Sequence, residues 1–168
     1  MSNNSLKGKA FKFGDAISTD LIIPGKYAHL RSNLPELAKH AMEDANPDFI
    51  KRVQPGDFVV AGANFGLGSS REHAPLVIKM AGVSAILAKS FARIFFRNAI
   101  NQGLPVLICN TDRISEGDIL EVRLDKGIIT NLTNKETYNF TAIPQTMLNI
   151  LNEGGLIPYI NKHGDFKL

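Results

Sequence analysis

Gly62-Ala63-Asn64-Phe65-Gly66-Leu67-Gly68-Ser69-Ser70-Arg71-Glu72-His73-Ala74-Pro75 is the stretch on which the reading of this chain turns. It follows the apolar run Phe58-Val59-Val60-Ala61, which has the length and composition of a buried strand. It opens a helix that runs to about Met80 and stops near Gly82. Glycine lets the backbone take positive φ and lets another molecule come close. A helix N-terminus carries unpaired N–H groups and a partial positive charge, so a strand-to-helix corner of this kind attracts anions. Arg71 adds a guanidinium fork shaped for carboxylate or phosphate.

Three uses of the corner compete: holding a carboxylate, holding a phosphate, or a capping box in which Ser69 and Glu72 merely close the helix. Pro75 argues against the last. With Ser69 as N-cap, Pro75 would stand in the sixth helical position, where it removes a ladder bond. The helix is therefore expected to begin between Glu72 and Pro75, leaving the Ser69 and Ser70 hydroxyls free in the turn before it. The phosphate use lacks the Gly-Lys-Ser/Thr ending, and Arg71 interrupts the dinucleotide spacing of glycines. Carboxylate is the favoured ligand. His73 sits further along the helix and is expected to point elsewhere, which disfavours a Ser-His hydrolase.

Outward from the corner, strand and helix alternate. Strand signals cover 83–87 and 104–109, with a helix over 90–102 capped by Gly103. On the N-terminal side, 11–13 reads as a short strand, Ser18-Thr19-Asp20 as a polar turn before Leu21-Ile22-Ile23, 26–34 as an irregular loop and 35–43 as a helix opened by Pro35. After Asp112 the pattern becomes a hairpin, 119–124 and 127–130 about Asp125-Lys126-Gly127, then a strand over 137–140 and a helix over 144–152. The expectation is one α/β domain over residues 1–168, a β/β/α unit with a mixed, partly parallel sheet and flanking helices.

Composition narrows the chemistry. A net charge of +3 is a mild excess, and the densest basic stretch, 89–97, is interleaved with Phe91, Ile94, Phe95 and Phe96. That is an amphipathic helix on a core rather than a nucleic-acid surface. No apolar run is long enough to span a membrane, and residues 1–8 lack the apolar region of a secretory signal. The lone Cys109 cannot form an internal disulfide, so a reducing, cytoplasmic setting is expected. One cysteine and four scattered histidines give no ligand spacing for a metal or cluster, so none is expected on this chain.

The stretch 64–74 resembles the signature of the aconitase swivel domain. Supporting pieces lie in the same order: Ser18-Thr19-Asp20 with Ile23-Pro24, Ala88-Lys89-Ser90-Phe91-Ala92-Arg93-Ile94-Phe95, then Asn98 with Gly103-Leu104-Pro105. A free-standing chain of this length is similar to the small subunits of 3-isopropylmalate dehydratase and homoaconitase. Leu67 departs from the cysteine that many isopropylmalate enzymes carry there.

The resemblance implies a swivelling domain of a hydro-lyase for a small di- or tricarboxylic acid, active with a large iron–sulfur subunit in a heterodimer or heterotetramer. That partner, not this chain, is expected to carry the 4Fe–4S cluster. By motif position Ser69 matches the catalytic base, and Ser70 and Arg71 match the residues that hold a substrate carboxylate. Asp20 matches an acid near the active site, or alternatively braces its turn. Arg31 occupies the loop where relatives carry a substrate-reading residue, with His29 and Leu30 as alternatives. The leading expectation is isomerisation of isopropylmalate in leucine biosynthesis. Homoaconitate, citraconate/methylmalate or another alkylmalate, and a non-enzymatic anion-binding module, are the alternatives.

Overall fold

The computed structural model describes residues 5–164, so residues 1–4 and 165–168, including the start of the N-terminal stretch read above, lie outside the described residues. Along the chain come β1 (Ser5–Lys12), α1 (Thr19–Ile22), a 3-10 helix (Gly25–Leu30), α2 (Leu34–Ala38), α3 (Phe49–Arg52), β2 (Phe58–Val60) and α4 (His73–Met80). There follow β3 (Ala85–Ala88), α5 (Arg93–Asn101), β4 (Val106–Ile108), β5 (Ile119–Arg123), β6 (Ile128–Asn131), β7 (Glu136–Asn139), α6 (Gln145–Asn152) and α7 (Leu156–His163).

All seven strands join one mixed sheet in the order β4-β3-β2-β1-β5-β6-β7. The first four run parallel and the last three are antiparallel. β1 is the seam: Ala10–Lys12 pair with Phe58–Val60, while Ser5–Lys9 pair with β5. This is the partly parallel α/β sheet that the alternation of elements implies.

The period of two sorts β2 and β3 between two cores. Val59 and Ile86 meet Phe11, Val77, Ile78, Phe95 and Ile100 under the helices. Phe58, Val60, Ala85 and Leu87 meet Leu120, Val122 and Ile129 from the antiparallel strands on the other face. Fully burying each such aliphatic side chain contributes roughly 1.5–3 kcal/mol.

Several local expectations give way to longer-range terms. β1 begins at Ser5, well before 11–13, because its first half is held by a partner strand more than a hundred residues away. The Ser18-Thr19-Asp20 turn is instead the start of α1, with the Ser18 hydroxyl accepting from the Leu21 N–H at 3.2 Å. Residues expected as loop include the 3-10 helix, and the helix expected over 35–43 ends at Ala38, beyond which Met42 takes φ +62°. α3 and α7 have no counterpart in the sequence reading. α7 tolerates Pro158 because it lies in the first turn.

Candidate functional site

Three connections leave the C-terminal ends of β1, β2 and β3 on one edge of the parallel half, the place where open α/β sheets bind ligands. The backbone ties them together. From the β1 connection, Ala16 N donates to Ala63 O (2.8 Å) and Thr19 N to Leu67 O (2.9 Å), while Gly66 N donates back to Ile17 O (2.7 Å). On the other side, Phe65 N donates to Ser90 O (3.0 Å) and Ala92 N to Phe65 O (2.9 Å). Asn64 N is taken by the Ser90 hydroxyl at 2.8 Å.

The glycine-rich loop is thus zipped between its neighbours, and Phe65 nails it down. Its ring meets Phe95 edge-on at 5.3 Å and Phe91 at 6.0 Å. Gly66 is the tightest point: φ is +84°, and a Cβ there would come within 2.3 Å of Phe95 Cγ.

The loop delivers Ser69, Ser70 and Arg71 to the surface. α4 begins at His73 with Glu72 as an N-cap that makes no side-chain capping bond, and Pro75 falls in its third position. The capping-box use is therefore excluded, and both serines stand in the turn before the helix, as Pro75 requires. Ser69 is held by its own carbonyl, which accepts from the Thr19 hydroxyl at 2.9 Å and from Arg71 N at 2.8 Å. Neither serine hydroxyl has a hydrogen-bond partner among the described residues, and both residues are exposed.

Arg71 is less free than its sequence position suggests. Nη1 donates to Ile23 O at 2.7 Å, and Nη2 pairs with Asp20 Oδ1 at 2.5 Å. Asp20 lies beside Arg71, where its own negative charge opposes direct contact with an anionic acid. Its carboxylate aims the guanidinium and shares its charge.

Ser69, Ser70 and Arg71 form a ridge between two clefts. The wider, about 430 Å³, is completed by Ile23, Ala28, Arg31, Glu72 and His73. Arg31 is therefore brought to the site, steadied by Nε donating to Ala28 O at 3.0 Å. Leu30 packs against the core instead, and His29 is exposed outside the cleft lining. His73 corrects the expectation that it points elsewhere, since it lines this cleft, although no hydrogen bond joins it to either serine. The first turn of α4 faces the connection from β1, which places His73 there.

The narrower cleft, about 220 Å³, runs from the ridge to Arg93, Ile94 and Asn98 of α5. Thr19, Arg93 and Asn98 are the residues that sequence reasoning did not single out for the site. Their signal lay in the segments that carried the resemblance. Among the described residues no group of three or more His, Cys, Asp or Glu could hold a metal ion, and no helix is long and apolar enough to cross a membrane.

Comparison with known proteins places this geometry. A family model described as the aconitase C-terminal domain matches residues 13–111. The chain is 66% identical over 161 residues to a 3-isopropylmalate dehydratase small subunit of Archaeoglobus fulgidus, covering 96% of this chain and 98% of that one. It is 60% identical to the corresponding protein of Thermotoga maritima, with the same coverage. The solved structure of a 3-isopropylmalate dehydratase from Methanocaldococcus jannaschii matches with a TM-score of 0.90 at 48% identity, over 95% of each chain. The chain belongs to the aconitase C-terminal domain family, within its group of 3-isopropylmalate dehydratase small subunits.

Proposed function

We propose that this chain, folded as one swivelling domain, is the small subunit of a two-subunit hydro-lyase that interconverts 3-isopropylmalate and 2-isopropylmalate for leucine biosynthesis in the cytoplasm. The reading agrees with the names of its relatives. The observation that carries it is the exposed ridge of Ser69, Ser70 and Arg71 with the Ser69 carbonyl pinned from two sides.

The reaction takes a proton from one carbon and a hydroxyl from its neighbour, then returns water with the positions exchanged. Ser69 accepts the proton at Oγ. It does so as the alkoxide and becomes the hydroxyl, so the alkoxide must be stabilised beforehand by positive charge and by exclusion of water. Arg71, two residues away, supplies the charge, and Asp20 keeps it aimed. The Ser70 hydroxyl donates to a carboxylate oxygen of the acid, while the branched side chain lies against Ile23 and Ala28 in the wider cleft.

A 4Fe–4S cluster on the large subunit supplies, when bound there, the Lewis acid for the departing hydroxyl. This chain has one cysteine against the three or four thiolates such a cluster needs, so its residues do not fit that role. The partner also closes the clefts against water, in a heterodimer or heterotetramer.

Arg31 in the cleft wall favours a second reading, in which the acid carries an additional carboxylate, as homoaconitate does. The test is to reconstitute the chain with the large subunit and assay the acids in turn. Turnover of isopropylmalate by the pair, and by neither chain alone, is the expected result. A markedly higher rate on homoaconitate overturns the first choice of acid.

A further inference from the structure

We infer that Arg93, with Asn98 beside it, receives the second carboxylate of the substrate in the narrower cleft, making it a specificity-determining residue on the far side of the serine ridge. The inference rests on the hydro-lyase reading and deepens it. A hydroxy diacid is a dianion, and Arg71, the cation of the ridge itself, already shares its charge with Asp20 and one terminal nitrogen with the Ile23 carbonyl. Arg31 opens on the wider cleft only.

Among the described residues Arg93 is the remaining arginine against the ridge. Together with Ser69, Ser70 and Arg71 it lines the narrower cleft, which contains no acidic residue. Among the described residues the Arg93 guanidinium has neither an ion pair nor a hydrogen bond, and the Asn98 side-chain amide has no hydrogen bond. The cation also stands in the first position of α5, a helix with no acidic residue. Positive charge at a helix N-terminus opposes the macrodipole, and among the described residues no acidic side chain pairs with Arg93 to offset it. An external anion would.

The position is also fixed relative to the serines. Ala92 N donates to Phe65 O at 2.9 Å, and the Phe95 ring lies against both Gly66 and Phe65. The start of α5 and the serine loop therefore move as one piece. A diacid lying over the ridge has one carboxylate at Ser70 and Arg71 and the other within the narrower cleft, where an arginine fork and an amide donor await it.

The test uses the reconstituted two-subunit enzyme with two competitive inhibitors, malate with two carboxylates and lactate with one. Arg93→Ala is expected to raise the KM of the diacid substrate and the Ki of malate by roughly 10- to 100-fold, the range for a hydrogen-bonded charge pair. The Ki of lactate is expected to stay within about twofold and kcat within about threefold, because the proton acceptor is untouched. Arg93→Lys is expected to fall between, since it keeps charge and loses the fork, and Asn98→Ala to shift malate in the same direction by less. An unchanged malate Ki, or equal shifts for malate and lactate, overturns the inference. So does loss of co-elution with the large subunit in place of the Ki shift, which would make Arg93 a docking contact. A wild-type pair that turns over no hydroxy diacid sinks the hydro-lyase reading itself, and the two failures are therefore distinct.

Discussion

In β2 and β3 every residue is buried, whereas β5 alternates from exposed Ile119 to buried Leu120 and on to buried Val122. The parallel half of the sheet is covered on both faces, and the antiparallel half alternates, as each type does when its surroundings differ. The candidate site follows the same division. All the ridge and cleft residues leave the C-terminal edge of the parallel half, where consecutive connections must start side by side. The antiparallel strands contribute Leu120, Val122 and Ile129 to the second core and none of the ridge or cleft residues. One half carries the candidate site, and the other packs a core behind it.

Mutations can break this contrast. Ser69→Ala is expected to lower kcat about 10²- to 10⁴-fold with thermal stability and assembly unchanged, because an exposed turn residue loses a proton acceptor and no packing. Full activity in that variant would move the base elsewhere. Ile129→Ala, in the other half, is expected to cost about 2–5 kcal/mol of unfolding free energy by denaturant titration while leaving kcat alone. A kcat loss at a temperature where that variant is folded would show that the halves are coupled.

Gly66→Ala should erase the distinction within one residue. Overpacking against Phe95 is expected to cost about 1–3 kcal/mol and to displace the serines, lowering kcat as well. Arg71→Lys sharpens the picture further. It is expected to raise KM roughly 10- to 100-fold by steady-state kinetics, since one ammonium cannot keep Asp20, the Ile23 carbonyl and a substrate together.

The last effect is confined to the alkaline side. Burial pushes the Cys109 thiol up to about 11 from its usual 9.0. Between those values the unfolded chain loses the proton first, so stability is intact below pH 9 and declines as pH rises toward 11, by at most about 2–3 kcal/mol. Cys109→Ala should flatten that slope in melts recorded across the window.

The sequence carried the parallel half better than its surroundings. Apolar runs at 58–61, 83–87 and 104–109 mark strands that are buried whichever way they pair, and Pro75 locates the start of α4. The first half of β1 could not be read locally, because residues 5–9 become a strand only through their pairing with β5. The same holds for α1, whose four residues are stabilised by the Ser18 cap and by the loop bonds around Thr19. At the site, Ser69, Ser70 and Arg71 were visible because glycines and helix entry are sequence-local signals. Arg93 was not, because helical periodicity explained its neighbours Phe95 and Ile100 and left the arginine as an ordinary solvated position. Its nearness to the serines exists only in three dimensions.

The short α1 has a mechanical corollary. Thr19 grips the Ser69 carbonyl and Asp20, the next residue, grips the Arg71 guanidinium, so one turn of backbone sets the spacing between the two. Any tilt of the domain on its partner displaces them by a common rotation and translation, and their mutual distance is preserved. Assembly of the two chains then has a single alignment to achieve rather than two independent ones.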